Sequence, residues 1–409
     1  MLTDAPWLTS ASIRRVFEAV AMEGDEARVV GGAVRNTLMG EPVGDVDIAT
    51  TALPEIVVKR AKAAGLKPVP TGMEHGTITV VSDGTPYEVT TLREDIETFG
   101  RHAVVRFSRD WRADAARRDF TMNALYADVD GAVHDPTGEG YADCLARRVR
   151  FIGDPHARIR EDYLRILRFF RFHAHYGAGA IDASGLSAVV AARDGLRRLS
   201  AERVGHELRR ILPAPHAVET VATMAESGII EIALGGVVRL EDFAHLHHLK
   251  DFAVEAGNGI LQLAALACFV AEDVDRLTDR LRLSNAEAKR MASALAASQT
   301  FHSTLDWLAA RERLYRLGHE TAIEAALLAW CRSAAGPDDQ AWRRLLVTLR
   351  SQEVPVFPVA GRDLLALGHK PGPAIGVALQ ALEARWIASG FALGRDDLLR
   401  DAGGDAQTP

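Results

Sequence analysis

Hydrophobic positions change their spacing near residue 142 of the chain. Before that point, short β-branched or alternating runs bounded by turn residues predict strands at 27–30, 45–49, 76–81 and 87–92, with one helix over 53–64. After it, apolar residues recur with helical spacing, which predicts helices over 159–172, 201–212, 260–270, 286–298, 322–333 and 375–388. The chain is therefore predicted to be α+β, with a mixed head followed by an all-α body.

The composition predicts a globular chain of two or three domains. It has 409 residues, of which 48% are hydrophobic and 25% charged, which argues against a disordered or fibrous chain. The longest nearly apolar run, 260–271, is too short to span the ~30 Å of a bilayer core. The N-terminus has the pattern of a capped amphipathic helix and not of a secretion signal, so we expect a cytoplasmic protein without a membrane partner.

The three cysteines are predicted to be buried structural thiols. Cys144, Cys268 and Cys331 are too far apart in the sequence for a zinc motif or a disulfide framework.

The charge distribution favours a local anionic partner in spite of a net charge of -7. Residues 1–100 carry a net charge of -6, whereas residues 101–172 carry +3, and every basic residue in the second segment is arginine. Arginine suits bidentate phosphate contacts. The alternative is a set of solvated helix faces.

A glycine pair follows the first predicted strand. In VVGGAVRN, Gly31 and Gly32 would let an anion approach the backbone at the start of a helix, with Arg35 on its first turn. Such a pair is by itself more often a simple tight turn. Its position before the acidic strand that follows favours a phosphate site.

Two carboxylates alternate in the second predicted strand. Asp45 and Asp47 would point to the same face, and like charges side by side are costly unless a cation neutralises them. Carboxylate oxygens suit Mg²⁺, which is also held by substrate phosphates; the alternative is the exposed face of an edge strand. Glu88 would complete the site if its strand lies beside this one. Asp83 competes for that role but has the setting of a turn residue.

The chain resembles the bacterial class II tRNA nucleotidyltransferases in four motifs, which occur in this order: GGAVRN…GDVDIAT, YEVTTLR, RRDFTMNA and EDYLRILR. These are the CCA-adding enzymes and the related bacterial poly(A) polymerases. The resemblance covers about residues 22–215 and is weak beyond, apart from 361–376. It implies a polymerase-β-like head and helical neck, body and tail, for which we predict the bounds 1–140, 141–215, 216–300 and 301–409.

The resemblance implies roles for the motif residues. Asp45 and Asp47 would hold two Mg²⁺ ions, and the RNA 3′-hydroxyl would attack the α-phosphate without a nucleophilic Ser or Cys. The residues implied to bind the nucleotide's phosphates and ribose are Gly31, Gly32, Arg35, Arg117, Arg118, Asp119 and Asn123. Asn36 stands where the family usually has Asp, which keeps a hydrogen bond but loses the charge.

The predicted helix 159–172 carries the candidates for base selection. Cytosine and adenine both present an amine donor beside a ring-nitrogen acceptor, so Asp162 could accept from the amine and Arg165 could donate to the ring. Uracil and guanine invert this pattern. The resemblance assigns the same pair to base recognition, and we expect Glu161 and Arg168 to orient it. The alternative is a solvated ion pair between Asp162 and Arg165.

Two further segments are candidates for handling RNA. The segment 93–118, with Gly100 midway, has the composition of a mobile loop, and in the family such a loop helps the change from C to A addition. Its alternative is an ordinary surface connection. Lys370 precedes a predicted helix and is a candidate phosphate contact, although a capped inter-helix turn fits equally.

The sequence thus predicts a CTP/ATP:tRNA nucleotidyltransferase that builds or repairs the CCA end without a nucleic-acid template. No protein partner is implied. The first alternative is a poly(A) polymerase acting on general RNA, because the two share every motif above. The second is an RNA-binding protein with a degenerate catalytic head, against which the intact acidic motifs argue.

Overall fold

The described part of the chain, residues 1–99 and 102–402 of this computed structural model, divides into two units. The first unit contains Met1–Val238 and Asp279–Arg282, and the second contains Arg239–Thr278 and the chain from Leu283 onward. The α+β class is confirmed. The finer division into head, neck, body and tail stays a prediction.

The first unit is built on a seven-stranded sheet. In chain order the strands are β1 (Ala27–Val30), β2 (Asp47–Thr50), β3 (Lys67–Gly72), β4 (Thr77–Ser82), β5 (Thr85–Thr91), β6 (Arg93–Phe99), β7 (His102–Phe107), β8 (Tyr126–Ala127) and β9 (Val133–His134). The sheet order is β3-β4-β5-β2-β1-β8-β9, and β6 pairs separately with β7. Within the sheet β2 and β5 run parallel, whereas the other neighbours are antiparallel.

The sequence pattern explains the central strands. In β4 and β5, Ile78, Val80 and Val89 are fully buried and alternate with more exposed residues, as a sheet with one covered face requires. Asp83 and Gly84 form the two-residue turn between these strands, both with positive φ. Asp83 is therefore a turn residue that pairs with Arg15, and it is not part of the carboxylate site.

In the described residues of the first unit, twelve α-helices lie before, between or after the strands. They are α1 (Pro6–Thr9), α2 (Ala11–Val20), α3 (Gly32–Met39), α4 (Pro54–Ala63), α5 (Trp111–Ala116), α6 (Gly140–Leu145), α7 (Pro155–Glu161), α8 (Leu164–Tyr176), α9 (Ala183–Ala191), α10 (Ala201–Ile211), α11 (Ala217–Glu226) and α12 (Ile229–Leu234). Phe120 packs against Phe151 and Phe172, and Phe151 stacks on Phe169 at 5.3 Å. This aromatic core joins α8 to the segment that follows the sheet.

The helices of the second unit confirm most of the helical predictions. They are α13 (Leu240–His248), α14 (Gly259–Ala267), α15 (Glu272–Leu281, whose last residues belong to the first unit), α16 (Asn285–Ser298), α17 (Trp307–Cys331, interrupted at Gly318), α18 (Gln340–Ser351), α19 (Gly361–Ala366), α20 (Pro373–Ala388) and α21 (Arg395–Ala402). Among the described residues, no helix has both the length and the apolar character needed to cross a bilayer. All three cysteines are buried and free, as predicted.

The segment 93–118 differs from the predicted mobile loop. Strands β6 and β7 pair across it in antiparallel register, with an irregularity between Asp95 and Glu97, and α5 follows. Gly100, on which the prediction of a loop depended, lies outside the described residues.

Candidate active site

The glycine turn closes β1 and opens α3. Gly31 adopts φ 72° and ψ -115°, a conformation that an L side chain rarely takes, and its N–H donates to the Leu125 carbonyl at 3.0 Å. A Cβ added there would lie 3.5 Å from the Asn123 carbonyl oxygen. Gly31 and Gly32 both line the cavity described below, so the start of α3 faces open space.

The register of the sheet sets Asp47, one of the two candidate aspartates, beside Glu88. Asp47 is directly opposite Glu88 in the parallel pair of β2 and β5, which confirms that the two strands are neighbours. Asp47 and Glu88 are exposed, whereas Ile48 and Val89 beside them are fully buried. Strand β2 begins at Asp47, so the prediction that Asp45 lies within the strand is wrong. Asp45 is an exposed residue of the connection that precedes it.

Electrostatics distinguish Asp47 from an ordinary surface carboxylate. The protein around it partly desolvates the carboxylate and so raises its pKa, although the side chain opens toward solvent. The charges of Glu88 and Asp45 raise that pKa further, against the opposing effect of Arg118. Among the described residues, no three His, Cys, Asp or Glu side chains form a group that could hold a metal by themselves. An ion at Asp45 and Asp47 would therefore need other ligands, as Mg²⁺ bound to substrate phosphates has.

A buried carboxylate that sequence reasoning missed holds the two arginines of RRDFTMNA. Asp114 accepts from Arg117 Nε at 2.9 Å, from Arg118 at 3.0 Å and from the Tyr126 hydroxyl at 2.7 Å. Burial alone would raise the pKa of Asp114, but Arg118 and Arg117 outweigh it and lower that pKa to about 2. The spacing of Asp114 three and four residues before the arginines is a signal that could have revealed it.

Asp119 and Asn123 connect the sheet to α8. Asp119 accepts from Arg168 Nε at 2.8 Å and from Asn123 Nδ2 at 3.0 Å, and Asn123 Oδ1 accepts from Arg35 at 2.5 Å. Burial would raise the pKa of Asp119, but Arg168 and the Asn123 amide together lower it. Arg168 therefore contacts Asp119, and the structure does not place it on Asp162 or Arg165 as we expected.

The residue at position 36 has a structural role that an aspartate could fill only in part. The Asn36 side-chain oxygen accepts from Arg35 at 2.7 Å, and its Nδ2 donates to the Pro42 carbonyl at 2.7 Å. A carboxylate can accept from Arg35 but cannot donate to Pro42. Arg35 also donates to the Tyr176 hydroxyl at 2.9 Å, so this largely buried arginine is held by several partners.

The predicted continuous helix over 159–172 is broken, and the break changes the surroundings of Asp162. Helix α7 ends at Glu161 and α8 begins at Leu164, while Asp162 is extended with φ -154° and ψ 110°. The Asp162 carboxylate accepts from the Leu164 N–H at 3.1 Å and from Arg203 at 2.6 Å. Aspartate side chains compete with helical hydrogen bonds in this way, which explains the break.

The alternative interpretation, an ion pair between the side chains of Asp162 and Arg165, is not found among the contacts of the described residues. Arg165 instead pairs with Glu161 and donates to the Arg158 carbonyl at 2.7 Å. Glu161 therefore contacts Arg165, and its role in orienting that side chain stays a prediction. Arg203, the actual partner of Asp162, was missed because it lies in α10, and no local pattern connects two residues so far apart in the sequence.

One cavity of about 450 Å³ brings most of the predicted residues together. It is lined by Val30, Gly31, Gly32, Arg35, Asp47, Arg118, Asp119, Asn123, Asp162, Leu164, Arg165, Arg168, Phe172 and Arg203. Asp45, Glu88, Arg117 and Glu161 do not line it. Arg117 and Glu161 are next to lining residues in sequence, Glu88 is opposite Asp47 in the sheet, and Asp45 is two residues before Asp47. Lys370 belongs to the second unit, where it is exposed just before α20.

Comparisons with known proteins give matches along the chain. The poly(A) polymerase head domain family matches residues 27–150, and the tRNA nucleotidyltransferase domain 2 family matches residues 258–392. Between them, residues 180–237 match a family described as the "Probable RNA and SrmB- binding site of polymerase A".

Relatives and solved structures cover nearly all of the chain. The mitochondrial CCA tRNA nucleotidyltransferase 1 of Mus musculus is 34% identical, over 96% of this chain and 90% of its own length. The CCA-adding enzyme of Geobacillus sp. (strain WCH70) is 32% identical, over 87% of each chain. The crystal structure of the Bacillus stearothermophilus CCA-adding enzyme in complex with CTP matches with a TM-score of 0.73 and 28% identity, over 92% of each chain. The Thermotoga maritima CCA-adding enzyme complexed with tRNA-CCA shares the fold, with a TM-score of 0.69, 19% identity and coverage of 96% of this chain and 94% of its own.

Proposed function

The chain belongs to the family of CCA-adding tRNA nucleotidyltransferases, and we propose that its catalytic site is the cavity lined by Gly31, Asp47 and Asp162. The reaction is the addition of the 3′-terminal CCA of tRNA from CTP and ATP, with release of pyrophosphate. The observation that carries the assignment of the site is the register that sets Asp47 opposite Glu88. It places the Glu88 carboxylate on the strand beside Asp47, and Asp47 lines the cavity that Asp162 and Arg165 also line.

The carboxylate pair fits divalent cations. Repulsion from Glu88 and Asp45 and partial desolvation raise the pKa of Asp47, so a cation there would relieve an unfavourable concentration of negative charge. The nucleotidyltransferase family uses divalent metals, and we propose that the ion is Mg²⁺, held by Asp45 and Asp47. When bound, such ions neutralise charge on the phosphate oxygens and lower the pKa of the attacking 3′-hydroxyl.

The chain's own residues would hold the triphosphate and ribose. The start of α3, from Gly32 onward, would present backbone N–H groups to the phosphates, while Gly31 gives the turn that opens the helix. Arg118 is fixed toward the cavity by the buried Asp114. Asp119 and Asn123 would bind the ribose, with Asp119 kept ionised by Arg168. Arg35 donates to Asn123 and Arg117 donates to Asp114, so we propose that these two arginines position Asn123 and Asp114.

Base selection would rest on Asp162 and Arg165. The Asp162 carboxylate keeps lone pairs beyond those used by Leu164 and Arg203, so it can accept from the amine of cytosine or adenine. Arg165 can donate to the adjacent ring nitrogen while Glu161 fixes its orientation. Uracil and guanine would set an oxygen against the Asp162 carboxylate, which is unfavourable in a closed site.

Two finer assignments complete the proposal. We propose that Lys370 contacts tRNA phosphate and that the protein works in the cytoplasm. The alternative activity, poly(A) addition, has the matches to the poly(A) polymerase head and to the RNA-binding site of polymerase A in its favour.

One assay separates the activities. A tRNA transcript that ends before CCA and an unstructured RNA are each incubated with single nucleoside triphosphates and Mg²⁺. We expect three added residues on the tRNA from CTP plus ATP. Long A tails on both RNAs would favour poly(A) polymerase, and no incorporation would indicate an RNA-binding protein with an inactive head.

A further inference from the structure

The break between α7 and α8 is packed against a glycine from another part of the first unit. Gly195 lies in a 3-10 turn, Arg193–Arg198, directly against the ring of Tyr163. A Cβ added at Gly195 would lie 2.0 Å from Cδ1, 2.3 Å from Cε1 and 2.4 Å from Cγ of that ring. Gly195 does not have a positive φ, so its backbone conformation would suit any residue. Glycine is needed at this position because it has no side chain, and not because of its backbone conformation.

The same stretch of chain, 195–203, contacts both residues of the break. The Arg198 guanidinium carbon lies 5.6 Å from the centroid of the Tyr163 ring, and Arg203 donates to the Asp162 carboxylate at 2.6 Å. Tyr163 does not line the cavity, whereas Asp162 before it and Leu164 after it do. A shift of the Tyr163 ring is therefore transmitted along the backbone to the residues on either side.

We propose that Gly195 is a positioning residue for nucleotide specificity, because it admits the Tyr163 ring and thereby sets the location of the Asp162 carboxylate. This inference rests on the proposed function, in which Asp162 reads the base. Neither Gly195 nor Tyr163 needs to touch the nucleotide. Specificity depends on the placement of a hydrogen-bonding group to within about an ångström, so a small displacement of Asp162 is enough to weaken discrimination.

The test adds a single methyl group in G195A. The ring atoms that the methyl would meet include Cγ, which is bonded to Cβ, so relief of the clash requires a shift of the Tyr163 backbone or a change of its rotamer. We expect kcat/KM for UTP relative to CTP to rise on the order of tenfold, with KM for tRNA changed by less than about twofold. A G195A variant that folds and keeps the parent ratio would overturn the proposal.

A matched control is G185A. A Cβ at Gly185, in α9, would lie 2.8 Å from the ring of Phe169, so this variant overpacks the same group of helices away from the break. We expect it to lower Tm while it keeps the parent preference for CTP. An equal change of the preference in G185A would show that general destabilisation causes the effect, and this too would overturn the proposal.

Removal of the ring gives a second route, which applies even if G195A fails to fold. We expect Y163A alone to weaken the preference for CTP, because Asp162 loses its packed neighbour. In the double variant Y163A/G195A the added methyl has room, so its ratio is expected to equal that of Y163A. A parent-like ratio in Y163A, or effects that multiply in the double variant, would contradict the proposal.

D162A in the same assay separates base reading by Asp162 from the positioning role of Gly195. If D162A keeps the preference for CTP, base reading by Asp162 is wrong, and the proposed role of Gly195 is wrong with it. If D162A loses the preference while G195A and Y163A keep it, the proposed function stands and only the role of Gly195 is overturned.

Discussion

Two groups of residues at the cavity are built in different ways. Asp47 and Glu88 come together through the backbone pairing of β2 and β5, which fixes their separation whatever their side chains do. Asp162 stands at a break between helices, where Arg203 of α10 donates to its carboxylate and Gly195 packs against the neighbouring Tyr163. We therefore expect substitutions at the strands to remove chemistry without moving the structure, and substitutions near the break to move the structure itself.

For the strand carboxylates, Asp47 and Glu88, the largest effect is expected from Asp47→Asn. We expect the rate of CMP addition in single turnover to fall about a thousandfold or more, because charge stabilisation at the phosphates is lost. The fold should tolerate the change. The raised pKa of Asp47 means that the folded state binds a proton more readily than the unfolded chain, so ionisation of this group lowers stability at neutral pH.

The control for Asp47→Asn is its Tm without metal. Because the cost of ionisation disappears as the pH falls through the raised pKa, the parent should gain relative stability on acidification, whereas Asp47→Asn should not. At pH 7 in EDTA the variant is expected to be at least as stable as the parent. A parent-like rate of CMP addition would refute a catalytic role for Asp47.

The corresponding test at the break is Asp162→Ala. We expect the preference for CTP over UTP, as a ratio of kcat/KM, to fall by about a hundredfold, while binding of tRNA changes little. Asp154→Ala is a suitable control, since Asp154 caps α7 without lining the cavity. If Asp162→Ala discriminates as well as the parent does, the assignment of base reading fails.

A smaller effect is expected from Asp114→Asn, which removes the charge that holds Arg117 and Arg118. The lowered pKa of Asp114, about 2, corresponds to about 2 kcal/mol of stability that is present above the usual carboxyl pKa and lost as the pH falls through about 2. The variant should lose that stability at pH 7 and raise KM for CTP severalfold, because Arg118 is no longer fixed. Urea unfolding and initial rates measure the two effects.

Asp110→Asn serves as the matched change on the same helix, because an asparagine caps α5 as well as an aspartate does. Equal stability losses in the two variants would argue that the Asp114 ion pairs contribute nothing specific.

The smallest effect is expected at Lys370→Glu, in the second unit. Loss of one phosphate contact should weaken tRNA binding severalfold. It should also reduce the slope of the logarithm of the tRNA association constant against the logarithm of the salt concentration by about one. Lys289→Glu, at an exposed position in α16, controls for net charge. Binding that stays unchanged across salt concentrations would refute the contact.

The contrast between the two groups also explains what the sequence could predict. The Gly31–Gly32 turn and the strands that carry Asp47 and Glu88 follow from local patterns, because the period of a strand and the chemistry of a turn are properties of adjacent residues. The pairing of those two strands is not a local property, and it came from the structure. The predicted strand position of Asp45 is wrong because the alternating pattern begins before Asp47, the first paired residue of β2.

The break could not be predicted in the same way. The residues on either side of Asp162 keep helical spacing, so periodicity alone predicts one helix over 159–172. The contacts that stabilise the break come from Gly195 and Arg203, and neither has a sequence signal that connects it to Asp162. Arg168 was misassigned for the same reason, because its partner, Asp119, lies far from it in the chain.

The most direct test of the whole account is a crystal structure with CTP and Mn²⁺, with anomalous data collected at the manganese edge. We predict an anomalous peak at direct coordination distance from the Asp45 and Asp47 carboxylates, with the cytosine amine on Asp162. A triphosphate bound in the cavity with no metal at Asp47, or a cytosine directed away from Asp162, would contradict it.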